Sequence, residues 1–237
     1  MKKYGFVFPV QPGKDALVRE ISGELRRRLP EYEESRRRAS VSLERAYLQR
    51  NPDGSTAVIA YAEGERSFGE VLGIYLSSDA PLDRYFIDRN AEVTGIDFRN
   101  APPSGPEPEL VGEWAEAEGG ARKRGFAFAA PLQPGKTDTG RRFAQEAYVV
   151  RGAELAQSRR EKGITREAVF VNQTAMGDLV VVYVEGGDPV EGNRLFAASQ
   201  TPFDRWFKDR CREIFPAYVD FDQPVPANEE VFSWVRA

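Results

Sequence analysis

The stretch Pro81-Leu-Asp-Arg-Tyr-Phe-Ile-Asp-Arg89 returns later in the chain as Pro202-Phe-Asp-Arg-Trp-Phe-Lys-Asp-Arg210. Six of the nine positions are identical, and two of the others exchange one apolar residue for another. A proline followed two residues later by aspartate is typical of the first turn of a helix. Because the same side chains stand in both copies, we predict that this stretch has a structural role and that the chain contains two similar folded segments.

Other blocks repeat in the same order and at nearly the same distance along the chain. Gln11–Lys14 matches Gln133–Lys136 with an offset of 122 residues, and Ser35–Arg37 matches Ser158–Arg160 with an offset of 123. Self-similarity at a constant period is the sequence signature of a repeat architecture. The sequence therefore predicts a tandem duplication.

Each copy has the pattern of a βαββαβ unit. Apolar residues at every fourth position from Leu17 to Leu29 predict a helix, and Asp53-Gly54 predicts a hairpin turn between two strands. A last strand is predicted at Ile96–Phe98, with its counterpart at 218–221, and the second hairpin is predicted to turn at Met176. This element order is that of the ferredoxin-like fold, so the fold class is α+β with two tandem ferredoxin-like repeats.

A single ferredoxin-like sheet carries helices on one face and leaves the other face apolar and bare, which is unfavourable in water. We therefore expect the two sheets to cover each other, forming an intrachain pseudo-twofold α/β barrel. On this hypothesis the protein is a monomer with an internal pseudo-dimer, or a small homo-oligomer that assembles through its outer surfaces.

The domain organisation follows from the positions of the repeats and of proline. Four prolines between Asn100 and Glu109 exclude a regular helix or a central strand there. We predict a first ferredoxin-like repeat over 1–99, a Pro-rich linker over 100–123, a second repeat over 124–222 and a C-terminal tail over 223–237.

The element order, the duplication and the Gly-Phe-x-Phe, Pro-Gly-Lys and Pro-x-Asp-Arg-x-Phe-x-Asp-Arg blocks resemble the dimeric α/β-barrel superfamily in its tandem form, in an uncharacterised bacterial branch. Members of the superfamily include cofactor-free monooxygenases, isomerases and haem-dependent enzymes. This resemblance implies the fold, whereas the activity differs widely among proteins that share it.

Composition excludes several classes of function. The chain has no histidine and one cysteine, so histidine-based triads, histidine-ligated zinc and histidine-ligated haem are excluded. We predict no metal and no cofactor. A net charge of −4 does not favour nucleic acid as a partner. The longest apolar run, 179–184, is too short to cross a membrane, and no signal peptide is visible, so we expect a cytoplasmic protein with no membrane partner.

The candidate site residues lie mainly in the second repeat, which is rich in aromatic residues. Without histidine, a carboxylate or a phenol must carry out any proton transfer. Glu167, its counterpart Glu44, and Tyr183 are the catalytic candidates. The side chains predicted to bind a ligand are aromatic with one neutral amide: Phe126, Phe128, Phe170, Asn172, Tyr183 and Trp206.

Three hypotheses on function follow from these residues. The first is that the protein binds a small hydrophobic or aromatic molecule in a pocket of one repeat, favoured to be the second, between its sheet and its helices. The second is a cofactor-free monooxygenase or isomerase that uses a buried glutamate. The third is a non-catalytic structural or interaction protein whose cores are filled. The enzyme hypothesis requires Glu167 to face an open cavity, whereas the hypothesis of filled cores requires that there is no such cavity.

Overall fold

The computed structural model describes residues 1–100, 106–117, 120–174 and 177–236. The chain forms two compact units, which we call unit 1 (Met1–Glu107 with Glu229–Ala237) and unit 2 (Pro108–Asn228). Within the described residues, each unit contains one four-stranded antiparallel sheet and its own helices. The predicted α+β class is therefore confirmed.

The elements follow the chain in this order. Unit 1 begins with β1 (Lys2–Val10), α1 (Asp15–Arg27), α2 (Leu29–Arg38), β2 (Val41–Arg50), β3 (Thr56–Gly64), α3 (Phe68–Leu76) and α4 (Pro81–Thr94). Unit 2 contains β4 (Glu109–Ala115), β5 (Arg124–Pro131), α5 (Thr137–Gln145), a π-helical segment (Glu146–Val150), α6 (Gly152–Glu161), β6 (Ile164–Thr174), β7 (Gly177–Gly186), α7 (Pro189–Ala198) and α8 (Pro202–Ile214). The last strand, β8 (Glu229–Val235), returns to unit 1.

The helix predicted from apolar spacing is present as α1, which buries Val18, Ile21 and Leu25 on one side. A second helix, α2, starts at Leu29 with Pro30 in its first turn. Proline is tolerated there because the first backbone N–H groups of a helix have no partner within it. The continuous amphipathic pattern is thus divided into two helices at the proline.

The two sheets have the same strand arrangement. Unit 1 has the order β1-β3-β2-β8, and unit 2 has the order β5-β7-β6-β4, with every neighbouring pair antiparallel. The fourth strand of each sheet therefore lies beside β2 or β6. In unit 1 this strand comes from the end of the chain, and in unit 2 it comes from the segment that follows unit 1.

The prediction of the fourth strands is wrong. Ile96–Phe98 and 218–221 are not strands in the structure. The strands that complete the sheets, β4 and β8, lie in the segments predicted as linker and tail. An unpaired sheet edge exposes backbone N–H and C=O groups, and pairing with these two segments satisfies them. Residues 101–105 and 118–119 of the predicted linker, and Met176 of the predicted turn, lie outside the described residues.

The two fourth strands are also similar in sequence. Glu109-Leu-Val-Gly-Glu-Trp-Ala115 aligns with Glu229-Glu-Val-Phe-Ser-Trp-Val235 at an offset of 120 residues, with glutamate, valine and tryptophan at the same three positions. The important difference is Gly112 in β4 where β8 has Phe232. This exchange of a ring for a hydrogen atom changes the space available inside unit 2.

The repeated aspartates of the Pro-x-Asp-Arg blocks hold the helices together. Asp204 is buried, accepts a hydrogen bond from the Ser158 hydroxyl at 2.6 Å, and pairs with the Lys162 ammonium at 2.7 Å. Asp83 is likewise buried and accepts from the Ser35 hydroxyl. The predicted structural role of these aspartates is consistent with their contacts, but their partners lie on other helices and not on the arginines that follow them.

Candidate ligand cavity in unit 2

A cavity of about 120 Å³ lies between the sheet and the helices of unit 2. The strands contribute valines and two phenylalanines, and the helices contribute further aromatic rings. The phenylalanine side chains around the cavity are Phe126, Phe128, Phe143, Phe196, Phe207, Phe215 and Phe221. Such a lining favours an uncharged, largely apolar occupant.

Strand alternation explains why the sheet side of the cavity is apolar. Val169 and Val171 of β6 pair directly with Val182 and Val180 of β7, and all four line the cavity. Successive side chains of a strand point to opposite faces, so every second residue of β6 and β7 faces the helices. Glu167 belongs to the same alternating set as the two β6 valines and is the acidic residue among the described residues that line the cavity.

Glu167 does not face the cavity as a free carboxylate. Both of its oxygens accept hydrogen bonds from the Arg159 guanidinium of α6, one from Nε and one from Nη2, the latter at 3.1 Å. Both side chains are buried. Burial alone would lower the pKa of Arg159, but the charge of Glu167 and its hydrogen bonds raise it above the ordinary value. Arg159 therefore keeps its charge, and its salt bridge with Glu167 joins two groups of opposite charge at the cavity wall.

Aromatic rings flank this ion pair. The Arg159 guanidinium carbon lies 5.2 Å from the centroid of the Phe196 ring and 5.1 Å from that of Phe207. Guanidinium groups at this distance from a ring face are attracted by its quadrupole. The rings thereby fix the orientation of the charged pair at the cavity wall.

Tyr148 brings a phenol to the same wall. It lies in the π-helical segment Glu146–Val150 and lines the cavity. Its ring fits against Gly112 of β4, where an added Cβ would lie 2.6 Å from two ring carbons. Its hydroxyl oxygen is buried and lies beside the Glu167 carboxylate and the Arg159 guanidinium, which act on it through their charges and through hydrogen bonding. Burial, followed by the negative charge of Glu167, raises the pKa of Tyr148 well above 10, so the phenol keeps its proton.

Unit 1 has the same ion pair in a more crowded core. Arg36 of α2 binds Glu44 of β2, with Nε 2.7 Å from a carboxylate oxygen. Three rings surround the Arg36 guanidinium, with centroids between 4.2 and 5.0 Å away: Tyr32, Tyr75 and Phe86. The Tyr32 ring also contacts Phe232, the residue that replaces Gly112, at 5.0 Å. The ion pair is therefore common to both units. In unit 2 the residue that matches Phe232 is Gly112, and a cavity lies beside the pair.

The structure separates the side chains predicted to bind a ligand. Phe126 and Phe128 line the cavity. Phe170, Asn172 and Tyr183 alternate with the residues that line it and so lie on the opposite face of the sheet. These three therefore do not belong to the cavity, because the strand register places them on the other side.

Tyr183 and Trp206 have other contacts. The Tyr183 hydroxyl donates a hydrogen bond to Glu185 at 2.6 Å, and Glu185 also pairs with Arg122 at 3.0 Å. The Trp206 ring is not among the described residues that line the cavity; the Arg151 guanidinium lies 4.0 Å from its centroid. Neither side chain is placed to act with Glu167 on a molecule in the cavity.

Tyr148, Arg159 and Phe207 are cavity residues that the sequence analysis missed. One signal was present in the sequence. The offset between the copies is 122 residues at Lys136 and 123 at Ser158, so one residue has been added between them. The π-helical segment lies in this interval, and π-helical turns frequently occur at functional sites.

Within the described residues, no group of three or more His, Cys, Asp or Glu side chains is arranged to hold a metal ion. Cys211 lines the cavity, but burial raises the pKa of its thiol well above the ordinary value, which makes it a poor nucleophile. No helix in the described part of the chain is long and apolar enough to cross a membrane.

Comparison with solved structures shows the fold. A "putative monooxygenase" from Fusobacterium nucleatum aligns with a TM-score of 0.54 and 7% identity, over 99% of this chain and 94% of that one. A "putative monooxygenase" from Lactobacillus acidophilus aligns with a TM-score of 0.55 and 6% identity, over 100% and 98%. An anthrone oxidase-like protein aligns with a TM-score of 0.50 and 13% identity, over 98% and 92%.

These identities are too low to carry an activity from one protein to another, so the likeness is one of fold alone. No family model matches the chain. No curated protein matches its sequence.

Proposed function

We propose that unit 2 binds a small, uncharged, largely apolar molecule of aromatic character in the cavity between its sheet and its helices. The observation that supports this proposal most directly is a cavity with an apolar lining beside a self-neutralised ion pair. A third hypothesis, a protein with filled cores, accounts less well for this space. We also propose that the chain is related to the tandem dimeric α/β-barrel proteins.

The proposal is tested by measuring binding of simple apolar probes. We suggest toluene, naphthalene and indole, followed by ligand-observed NMR and, for the strongest binder, by calorimetry. Saturable binding with one site per chain is expected. Absence of saturable binding for all three probes would contradict the proposal.

A cavity-filling variant locates the site. Gly140 of α5 lines the cavity, and an added Cβ there would lie 3.9 Å from the nearest side-chain atom, which is ordinary contact. Gly140→Val introduces the residue that stands at the matching position in α1, Val18, and should weaken probe binding at least tenfold. Gly23→Val, at a helical glycine of unit 1 whose nearest neighbour is the Arg27 side chain at 3.6 Å, is the matched control and should leave binding unchanged.

A second candidate function is a cofactor-free monooxygenase or isomerase with its chemistry at Glu167. The observation that favours it is the grouping of a carboxylate, a guanidinium and a protonated phenol at one wall of an apolar cavity. Against it, Arg159 engages both carboxylate oxygens, so proton transfer to Glu167 requires the ion pair to open.

Oxygen uptake and product analysis with hydroquinones, and lactone isomerisation, test this second candidate. Glu167→Asp keeps the charge and withdraws the carboxylate by one methylene, so it should abolish turnover found in the wild type. Glu44→Asp makes the same change in the equivalent ion pair of unit 1 and should not alter it. Equal loss of turnover in the two variants would point to a structural effect.

A further inference from the structure

We infer that the unit 2 cavity takes molecules no larger than a single six-membered ring with small substituents, and that its walls reject molecules with two fused rings. This inference rests on the proposed binding function and adds the size class of the ligand. It begins from the cavity volume of about 120 Å³. A dry apolar cavity of about 150 Å³ engineered in another protein binds benzene, so a volume of this size corresponds to one ring.

The walls around the cavity limit how far a bound molecule can extend. All the described residues that line it are buried or half-buried. The sheet forms one side, the helices α5 to α8 form the other, and the segment after α8 adds Phe215, Phe221 and Val225. The Asn193 amide nitrogen of α7 holds this segment by donating a hydrogen bond to the Val225 backbone oxygen at 2.8 Å. A molecule that outgrows the cavity must therefore displace side chains.

The sheet side of the cavity is stiff. Its four central valines, Val169 and Val171 of β6 and Val180 and Val182 of β7, lie on the two inner strands of the sheet, each of which is paired on both sides. A β-branched side chain has few χ1 rotamers open to it, so these valines have little freedom to turn away. Moving the strands themselves would break ladder hydrogen bonds. This wall therefore stays in place when a molecule presses on it.

The helix side is held by contacts among its own rings. The Phe207 ring of α8 lies with its centroid 4.8 Å from that of Phe143 in α5 and 5.6 Å from that of Phe196 in α7, and both pairs meet edge to face. The Trp206 ring packs against Phe143 in the same way, at 5.8 Å. Edge-to-face packing favours a defined arrangement of rings. Because the rings on three helices contact one another, turning one of them to enlarge the cavity disrupts its contacts with the next.

Hydrophobicity and size predict opposite orders of affinity for a series of aromatic probes. Binding strengthens with the apolar area removed from water, so naphthalene would bind about tenfold or more tighter than toluene if both fitted equally well. Forcing extra carbon atoms into a packed site displaces side chains and backbone, which is unfavourable. We therefore expect benzene and toluene to bind the wild-type chain, and naphthalene to bind about tenfold or more weakly than toluene. Ligand-observed NMR measures the three dissociation constants.

An enlarging variant tests whether the walls set this limit. Ile214, the last residue of α8, is buried and lines the cavity, so Ile214→Ala adds the volume of the removed side-chain carbons to it. This variant should bind naphthalene about tenfold more tightly than the wild type does, and it should still bind toluene. Ile21→Ala is the matched control, because it makes the same change at a buried position of α1 in unit 1. It should leave all three affinities as they are in the wild type.

The outcomes separate this inference from the proposed function. If none of the three probes binds the wild type, the proposed binding function fails. If naphthalene binds as tightly as toluene or more tightly, the binding function stands and the size limit is overturned. If Ile214→Ala is folded by circular dichroism and binds toluene but gains no affinity for naphthalene, the walls do not set the limit and the inference is also overturned. Should Ile214→Ala fail to fold, the wild-type order of affinities still decides between the two.

Discussion

Replacing Asp204 by asparagine should destabilise unit 2 strongly at neutral pH and very little near pH 2. The Asp204 carboxylate is fully buried and lies 2.7 Å from the Lys162 ammonium, which is 5% exposed. Asparagine preserves the shape of the side chain but removes its charge. The Lys162 ammonium then stays buried without the carboxylate that neutralises it.

The size of the effect follows from the pKa of Asp204. Burial alone would raise this pKa, but the hydrogen bonds from Lys162, Ser158 and Ser199 and the charge of Lys162 lower it from 3.8 to about 2. At 1.36 kcal/mol for each pH unit, this corresponds to about 2.5 kcal/mol of folding free energy at pH 7. Removing one partner of a buried ion pair has been found to cost about 3–5 kcal/mol. A loss of about 2–5 kcal/mol is therefore expected.

The pH dependence has a definite sign. Because the pKa of Asp204 is lower in the folded state, its contribution is complete above the unfolded value near 4 and is lost as the pH falls through the folded value near 2. The wild type should therefore approach the stability of Asp204→Asn over this range. At pH 2, close to the folded-state pKa, about half of the Asp204 carboxylates are protonated and most of the contribution to stability is lost.

Urea unfolding followed by tryptophan fluorescence measures the difference at pH 7, 5, 3 and 2. Asp209→Asn is the matched control on the same helix, since the Asp209 side chain is 68% exposed where it meets Arg212, and it should change stability by less than about 0.5 kcal/mol. A difference below about 1 kcal/mol for Asp204→Asn at pH 7, or a difference that stays constant down to pH 2, would refute the reasoning.

Three further predictions concern helix packing, strand pairing and the buried ion pairs. Gly140→Ala should raise the melting temperature, because an added Cβ makes only ordinary contacts and alanine favours a helix over glycine by about 1 kcal/mol. Gly192→Ala should lower the melting temperature, because its Cβ would lie 2.8 Å from a backbone oxygen. Thermal unfolding compares the two variants, and a higher melting temperature for Gly192→Ala than for Gly140→Ala would contradict this prediction. Deleting 229–237 removes three buried apolar side chains of β8, which contribute about 5–9 kcal/mol to the free energy of unfolding. Limited proteolysis should therefore find unit 1 unfolded, whereas a native cleavage pattern would show that β8 is dispensable. Glu167→Gln should lower the free energy of unfolding by about 3–5 kcal/mol, because it leaves a buried guanidinium unpaired. Glu44→Gln should lower it less, since the Glu44 side chain is 18% exposed and that of Glu167 only 6%. Urea unfolding that finds Glu44→Gln the less stable variant would be evidence against this account.

The partner of Glu167 could not be read from the sequence, which shows only a glutamate on a strand that contains many apolar residues. Arg159 lies on the adjacent helix and binds both carboxylate oxygens. The identity of this partner depends on how α6 lies against β6, and no local pattern specifies that packing.

The elements of the fold were predictable where local chemistry decides them. The apolar period of α1, the proline at the start of α8 and the Asp53-Gly54 turn act over a few residues. The fourth strands were not predictable in this way. β8 pairs with β2, whose residues lie nearly 190 positions earlier in the chain, and the same short apolar segment could satisfy more than one sheet edge.

The candidate site, like the fold, was predictable only in part. Sequence reasoning placed the pocket in the second repeat and named Phe126, Phe128 and Glu167, because aromatic residues are concentrated there and Glu167 lies early in a predicted strand. It included Phe170 and Tyr183 with them. In a strand, a shift of one residue moves a side chain to the opposite face, and the register of β6 against β7 assigns these two to the far side.

The sequence by itself determined the α+β class, the order of the strands and helices up to the fourth strand of each sheet, and the absence of any histidine chemistry, since these depend on composition and on neighbours close along the chain. The tertiary structure alone decided which segments complete the sheets, that Arg159 neutralises Glu167, and that the Tyr148 hydroxyl stands buried beside them. These depend on contacts of a few ångströms between segments that are distant in sequence, and such contacts form only when the strands have paired and the helices have packed against them.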